Sequence, residues 1–150
     1  MQCDNEELLC FVEECLIKEF GLEDLLFLSK EIFSIDLKRQ LLGAIGIRKI
    51  LESENSIPMQ QIIETNLVPR FIELFEIDNP QLQVECALIL GRLTTGNSQL
   101  IQRIVDNGGI TALLKLLDSK CPAITEQVKQ IYLYSFLELW QKKKNRLYLL

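Results

Sequence analysis

Histidine is absent from this chain of 150 residues. With it go the imidazole base, the Ser-His and Cys-His nucleophile pairs, and the commonest metal ligand. No glycine-rich phosphate loop is present either. The five cysteines (Cys3, Cys10, Cys15, Cys86 and Cys121) follow no metal-like spacing, so neither a metal nor a cofactor is expected. Aspartates and glutamates are plentiful but fall at ordinary helix-surface spacing, so no enzyme is expected. Proline and glycine are scarce, at four and seven. Hairpin signals between alternating runs are missing; Asn107-Gly108-Gly109 comes nearest but lies between helical patterns. An all-α chain follows. Long apolar runs are also lacking. The stretch over residues 131–140 is interrupted by Glu138 and is too short to span a bilayer, so no membrane partner is expected. The opening MQCDNEELLC is acidic where a secretory signal would be basic. Together with the cysteines, that points to a reducing compartment.

What is present is helical periodicity, clearest over residues 67–96, LVPRFIELFEIDNPQLQVECALILGRLTTG. Pro69 suits the first turn of a helix, where a missing N–H costs nothing. Phe71, Ile72, Leu74 and Phe75 form an apolar face. Asp78-Asn79-Pro80 stops that helix and restarts the chain, with Asn79 as cap and Pro80 as first residue. Leu82, Cys86, Ile89, Leu90 and Leu93 then fall on one helical stripe, and Gly96 can close it.

The pattern returns 42 residues later. Ile62-Ile63-Glu64 matches Ile104-Val105-Asp106, and Phe71-Ile72 matches Leu113-Leu114. Leu74-Phe75 matches Leu116-Leu117, Pro80 matches Pro122, and Glu85 matches Gln127. A period in the forties with a short, short, long helix plan marks a stacked helical repeat. Each unit must lean on its neighbours to bury its apolar face. The expected organisation is one domain over residues 1–150, with three three-helix units at about 5–53, 54–96 and 97–145. In the first unit, residues 5–19 form an amphipathic helix and Asp36 can cap a third helix. Gly43 and Gly46 suggest close helix packing there. Ser56 and Ser98 can cap short helices.

Residues 62–99 resemble an armadillo repeat of the importin-α (karyopherin-α) family. The VPRF element, the run Leu82 to Glu85 and the small-residue end from Thr95 to Ser98 carry the likeness. Arg48-Lys49-Ile50-Leu51 is similar to the preceding repeat, and residues 104–110 to the following one. The resemblance implies a right-handed superhelical armadillo-repeat stack whose concave groove is lined by third helices. It further implies a protein or peptide ligand in that groove, a role as nuclear import adaptor, and residence in cytoplasm and nucleus. The family holds basic localisation signals with a Trp and an Asn four residues apart on each third helix. Here those positions are Ile45 and Lys49, Leu88 and Arg92, and Gln130 and Tyr134. Gln81 falls with Leu88 and Arg92 on the face opposite the core stripe. None matches the family's pair, and the family's basic N-terminal segment is replaced by acidic residues. A general armadillo scaffold that has lost signal binding therefore stands as the alternative.

Charge is unevenly spread. Residues 1–35 hold nine acids and two bases, and residues 96–150 hold four acids and eight bases. Either end could meet an oppositely charged partner, or could simply be solvated surface. No aromatic ladder accompanies Lys142-Lys143-Lys144 and Arg146, so nucleic acid is not an expected ligand. On the last helix, Leu133, Phe136, Leu137, Leu139 and Trp140 spread apolar surface around the cylinder. Self-association through this C-terminal helix is the expectation, unless Leu147 to Leu150 fold back over it.

Overall fold

A computed structural model describes residues 5–54, 56, 58–95 and 98–148. The side chains of Asn5 and of positions 132, 134–136, 138–140, 142, 143, 147 and 148 fall outside the description. Helices follow one another as α1 (Asn5–Ile17), α2 (Leu25–Ile32), α3 (Leu37–Ser53), α4 (Met59–Glu64), α5 (Leu67–Leu74), α6 (Pro80–Thr94), α7 (Ser98–Asp106), α8 (Gly109–Leu116) and α9 (Pro122–Tyr148). A single 3-10 turn, Leu22–Asp24, precedes α2. There is no strand among the described residues.

Local chemistry explains the boundaries. Asn79 is extended at the start of α6, and its side chain accepts from the Leu82 N–H at 2.9 Å. That pairs one of the four orphan donors of the first turn. Pro80 opens the helix as its first residue. Between α4 and α5 the chain turns through Asn66 at φ 56°, and between α7 and α8 through Gly108 at φ 76°. These corners are 42 residues apart. Asn and Gly are the residues that tolerate a left-handed backbone. Two expected caps differ. Asp36 occupies the N-cap position of α3 but its side chain makes no capping bond. Helix α4 begins at Met59 with Pro58 before it, so Ser56 lies too far upstream to cap it.

The long helices α3, α6 and α9 lie side by side, and the short helices pack behind them. Between the two layers runs one apolar core from Val12 to Ile131. Leu28, Ile32, Leu41, Ile47, Ile50, Phe71, Leu74, Leu82, Ile89 and Leu93 are fully buried. Each such side chain contributes roughly 1.5–3 kcal/mol by leaving water. Helices α2 and α3 approach closely because Gly43 and Gly46 present no side chain. A Cβ at Gly43 would stand 2.8 Å from the Leu28 carbonyl oxygen, and one at Gly46 2.7 Å from the Leu28 methyls.

The first unit departs from the expected plan. Helix α1 lies against α3, and the 3-10 turn holds the place that α4 and α7 hold in the later units. The Lys49 ammonium on α3 donates to the carbonyls of Leu16 (2.6 Å) and Lys18 at the end of α1. Arg92 on α6 does the same for the end of α3, donating to the carbonyls of Leu51 (3.1 Å) and Glu54 (3.4 Å). Helix α1 therefore stands to α3 as α3 stands to α6, so the long-helix layer runs α1, α3, α6, α9.

Candidate functional site

The layer of third helices is bound together by polar side chains aimed at specific acceptors. Helix ends leave carbonyls unpaired, and neither α1 nor α3 carries a basic residue in its own last turn. The cation comes from the next helix instead, Lys49 for α1 and Arg92 for α3. Arg70 on α5 serves the end of α2 likewise, donating to the carbonyls of Ile32 at 3.0 Å and Ser34 at 3.1 Å. Gln40 reaches the Ser34 carbonyl at 2.8 Å, and Gln83 reaches those of Phe75 (3.1 Å) and Ile77 (2.9 Å).

Between α3 and α6 lies an ion pair with little exposure. Arg48 Nε donates to Glu85, and Nη1 donates to Glu52 at 2.9 Å. The Glu85 side chain is 4 % exposed and that of Arg48 15 %. Gln81 adds a bond to the other Glu85 oxygen at 3.1 Å. Burial pulls the Arg48 pKa down, but the hydrogen bond to Glu85 and the charges of Glu85 and Glu52 outweigh it. The guanidinium is thus held more firmly protonated than usual.

One step along, between α6 and α9, the same positions hold different residues. Gly91 stands where Arg48 stood, Gln127 where Glu85 stood, and Thr95 where Glu52 stood. The side-chain volume lost there is open space. A cleft of about 250 Å³ is lined by Arg48, Leu51, Glu52, Leu88, Ile89, Gly91, Arg92, Thr95, Gln127 and Gln130. Leu88 is a half-buried apolar floor, and Gln130 is exposed at the rim. Among the described lining residues Glu52 is the one carboxylate, and it already receives Arg48.

The structure thus brings Leu88, Arg92 and Gln130 together. It separates the other positions expected to line the groove. Ile45 is fully buried and is a core residue, because its place on α3 faces inward. That expectation is corrected. Lys49 is turned to the end of α1, and Gln81 to Glu85. The Tyr134 side chain lies outside the described residues. Arg92, expected on the face opposite the core stripe, has its guanidinium held by two carbonyls of α3. Sequence reasoning missed Arg48, Glu52, Gly91, Thr95 and Gln127. The 42-residue register already placed Glu85 on Gln127. The pairing of Lys49 with Arg92 has an offset of 43, and carrying it one residue back, to Arg48 and Gly91, would have exposed the exchange of arginine for glycine.

Elsewhere the chemistry is structural. Arg39 grips Glu31 with two bonds of 3.0 Å, and this hydrogen bonding holds the Glu31 carboxyl below its usual range against the effect of burial. Burial pushes the Cys86 thiol well above its ordinary value. No group of three or more metal-ligating side chains occurs among the described residues. No described helix is long and apolar enough to cross a membrane.

No family model matches the chain. Individual relatives do. The chain is 35% identical over 97 residues to importin subunit alpha-1a of Oryza sativa subsp. japonica, covering 64% of this chain and 18% of that protein. It is 33% identical over 110 residues to importin subunit alpha-4 of Arabidopsis thaliana, covering 73% of this chain and 20% of that protein. The chain therefore spans about a fifth of the length of the curated relatives it matches. Among solved structures, a designed armadillo repeat protein in complex with the peptide (KR)4 superposes with a TM-score of 0.66 at 16% identity, over 91% of this chain and 62% of that one. The all-α repeat stack is thus an armadillo-repeat solenoid, and over the matched residues this chain is a divergent member of the importin-α family.

Proposed function

We propose that this chain is a protein-binding armadillo module that receives an extended segment of a partner along α3, α6 and α9. The carrying observation is the cleft between α6 and α9, where Leu88 offers an apolar floor and Gln127 and Gln130 offer amides that both donate and accept. Open amide edges suit a peptide backbone, and a flat apolar floor suits a side-chain stem.

The homology supports a finer reading, a nuclear import adaptor that moves between cytoplasm and nucleus. The chemistry of the cleft favours the alternative, an armadillo scaffold whose ligand is not a lysine-rich signal. A lysine entering the cleft would meet Arg92, and Glu52, the one carboxylate among the described lining residues, is already committed to Arg48. Like charges brought together repel. No tryptophan is among the described lining residues to pack along a lysine stem. A second surface supports self-association, since Leu133 and Leu137 stand exposed on α9.

Titration calorimetry with lysine-rich, neutral polar and acidic peptides separates the readings. Binding of a non-basic peptide, weakened by Leu88→Glu, is the expected result. Micromolar affinity for the lysine-rich peptide would overturn the scaffold reading in favour of the import adaptor. Failure of all three peptides, with Leu88→Glu silent toward a partner captured independently, would remove the cleft as the site.

A further inference from the structure

We propose that the outward face of α9 receives the α1 face of a second copy of this chain, so that copies stack head to tail. Three observations meet here. The first is exposed apolar surface at both ends of the long-helix layer. Helix α9 turns Ile124, Val128 and Ile131 into the core. On its far side Lys129, Leu133 and Leu137 follow at helical spacing, with Leu133 58% and Leu137 48% exposed. Helix α1 buries Val12 and Cys15. Its other side carries Leu9, Glu13, Leu16 and Ile17, with Leu9 61% and Ile17 82% exposed. Among the described residues the α1 face carries the acid Glu13, and the α9 face carries Lys129 together with the exposed acid Glu126.

The second observation is the charge around the stripes. Glu6, Glu13 and Glu14 are exposed on α1, whereas Lys129 is exposed beside the α9 stripe. A copy of α1 laid on α9 brings acid to base. Laid on its own kind, the α1 face would oppose acid to acid.

The third is continuity. Lys49 caps α1 as Arg92 caps α3, so α1 has the form of a long helix packed on one side only. Placing it on α9 continues the sequence α1, α3, α6, α9 with another α1. Each interior long helix in this layer is packed on both sides, and the stacked arrangement gives α1 and α9 the same condition. Such a contact joins two different surfaces, so it does not close on itself and produces open chains. The surfaces are distinct from the cleft, and the inference does not depend on what the cleft binds.

Sedimentation equilibrium on the 150-residue chain tests it. Mass should rise with concentration past the dimer, and the association should weaken with salt, which screens exposed charge. Leu9→Lys blocks the head and Leu137→Glu blocks the tail. Both positions are exposed, so circular dichroism should show unchanged helix. Each variant alone should be monomeric, with Kd raised at least about tenfold. An equal mixture should form a dimer and stop there, because one intact head meets one intact tail. Lys129→Glu should weaken association, and mixing it with Glu13→Lys should restore it. A monomeric wild type at about 100 μM, a weak-interface limit, would overturn the proposal. So would a dimer lost in one blocked variant and intact in the other, which is the behaviour of a two-fold contact.

Discussion

The junction of α3 with α6 and the junction of α6 with α9 are built on the same backbone plan and closed by different chemistry. The first is stapled by polar side chains. Arg48 is sandwiched between Glu85 and Glu52, Arg92 holds the end of α3, and Arg70 crosses to the end of α2. The second has Gly91 and Gln127 in place of the ion pair and Ala112 in place of Arg70. It is held by apolar packing of Ile89, Leu93, Ile124, Val128 and Ile131. A repeat stack needs only shape-matched apolar faces to hold, so polar staples at one junction can be dropped at the next. What is gained by dropping them is space, and the cleft sits where the arginine side chain is missing.

The largest test of that comparison truncates the matching side chain at each junction, a carboxylate at the first and an amide at the second. Glu85→Ala strands Arg48 with Glu52 alone in a mostly buried place, and should cost about 3 kcal/mol, the low end for breaking a buried pair. The equivalent Gln127→Ala should cost under about 1 kcal/mol, since losing a partly exposed neutral amide leaves no buried charge without a partner. Urea unfolding of the two variants side by side reads the difference. Equal losses would mean that the junctions are not energetically distinct.

Glycines give a contrast of sign. Gly46→Ala drives a methyl into Leu28 of α2 and should destabilise by about 1–3 kcal/mol. Gly91→Ala meets only Gln127 Oε1 at 3.5 Å and Ile131 at 3.6 Å, which is ordinary contact. There the better helix propensity of alanine should win and stabilise by up to about 1 kcal/mol. The same methyl narrows the cleft, so ligand affinity should fall while the melting temperature rises.

Helix entry distinguishes the two junctions less sharply. Asn79→Ala removes the side-chain cap of α6 and should cost about 1 kcal/mol, measured by thermal melting. Helix α9 enters with the Cys121 carbonyl accepting from Ile124 and Thr125, so Cys121→Ala should be nearly silent in the same assay.

The smallest expected effect concerns acid. The Glu31 carboxyl is depressed in the folded state by Arg39. Its contribution is therefore present above the unfolded value of 4.5 and is lost as pH falls through the folded value below that. Arg39 is half exposed, so solvent screening keeps the effect modest. The stability gap between wild type and Glu31→Gln should be full above pH 4.5 and should shrink as pH falls below it. A constant gap across pH would show that Arg39 contributes nothing through charge.

The sequence by itself determined the class of fold, the spacing of its units and most helix ends. The reason is that these are local properties. Stripe periodicity along α6 and the Asn79-Pro80 restart need no knowledge of what lies across the stack. Gly43 and Gly46 were readable as packing residues, because two glycines in one helix have few other physical uses. Only the tertiary structure decided the fate of the cations and the rank of α1. Whether Lys49 and Arg92 face a ligand or cap a neighbouring helix depends on which carbonyls end beside them. Those carbonyls lie more than thirty residues away in sequence. Ile45 was misplaced for a related reason: α3 is packed on several sides, so helical spacing alone does not tell its inward faces from its open one. The groove is a property of pairs of helices. Its shape, set by a glycine on α6 and a glutamine on α9, exists only once the two are side by side.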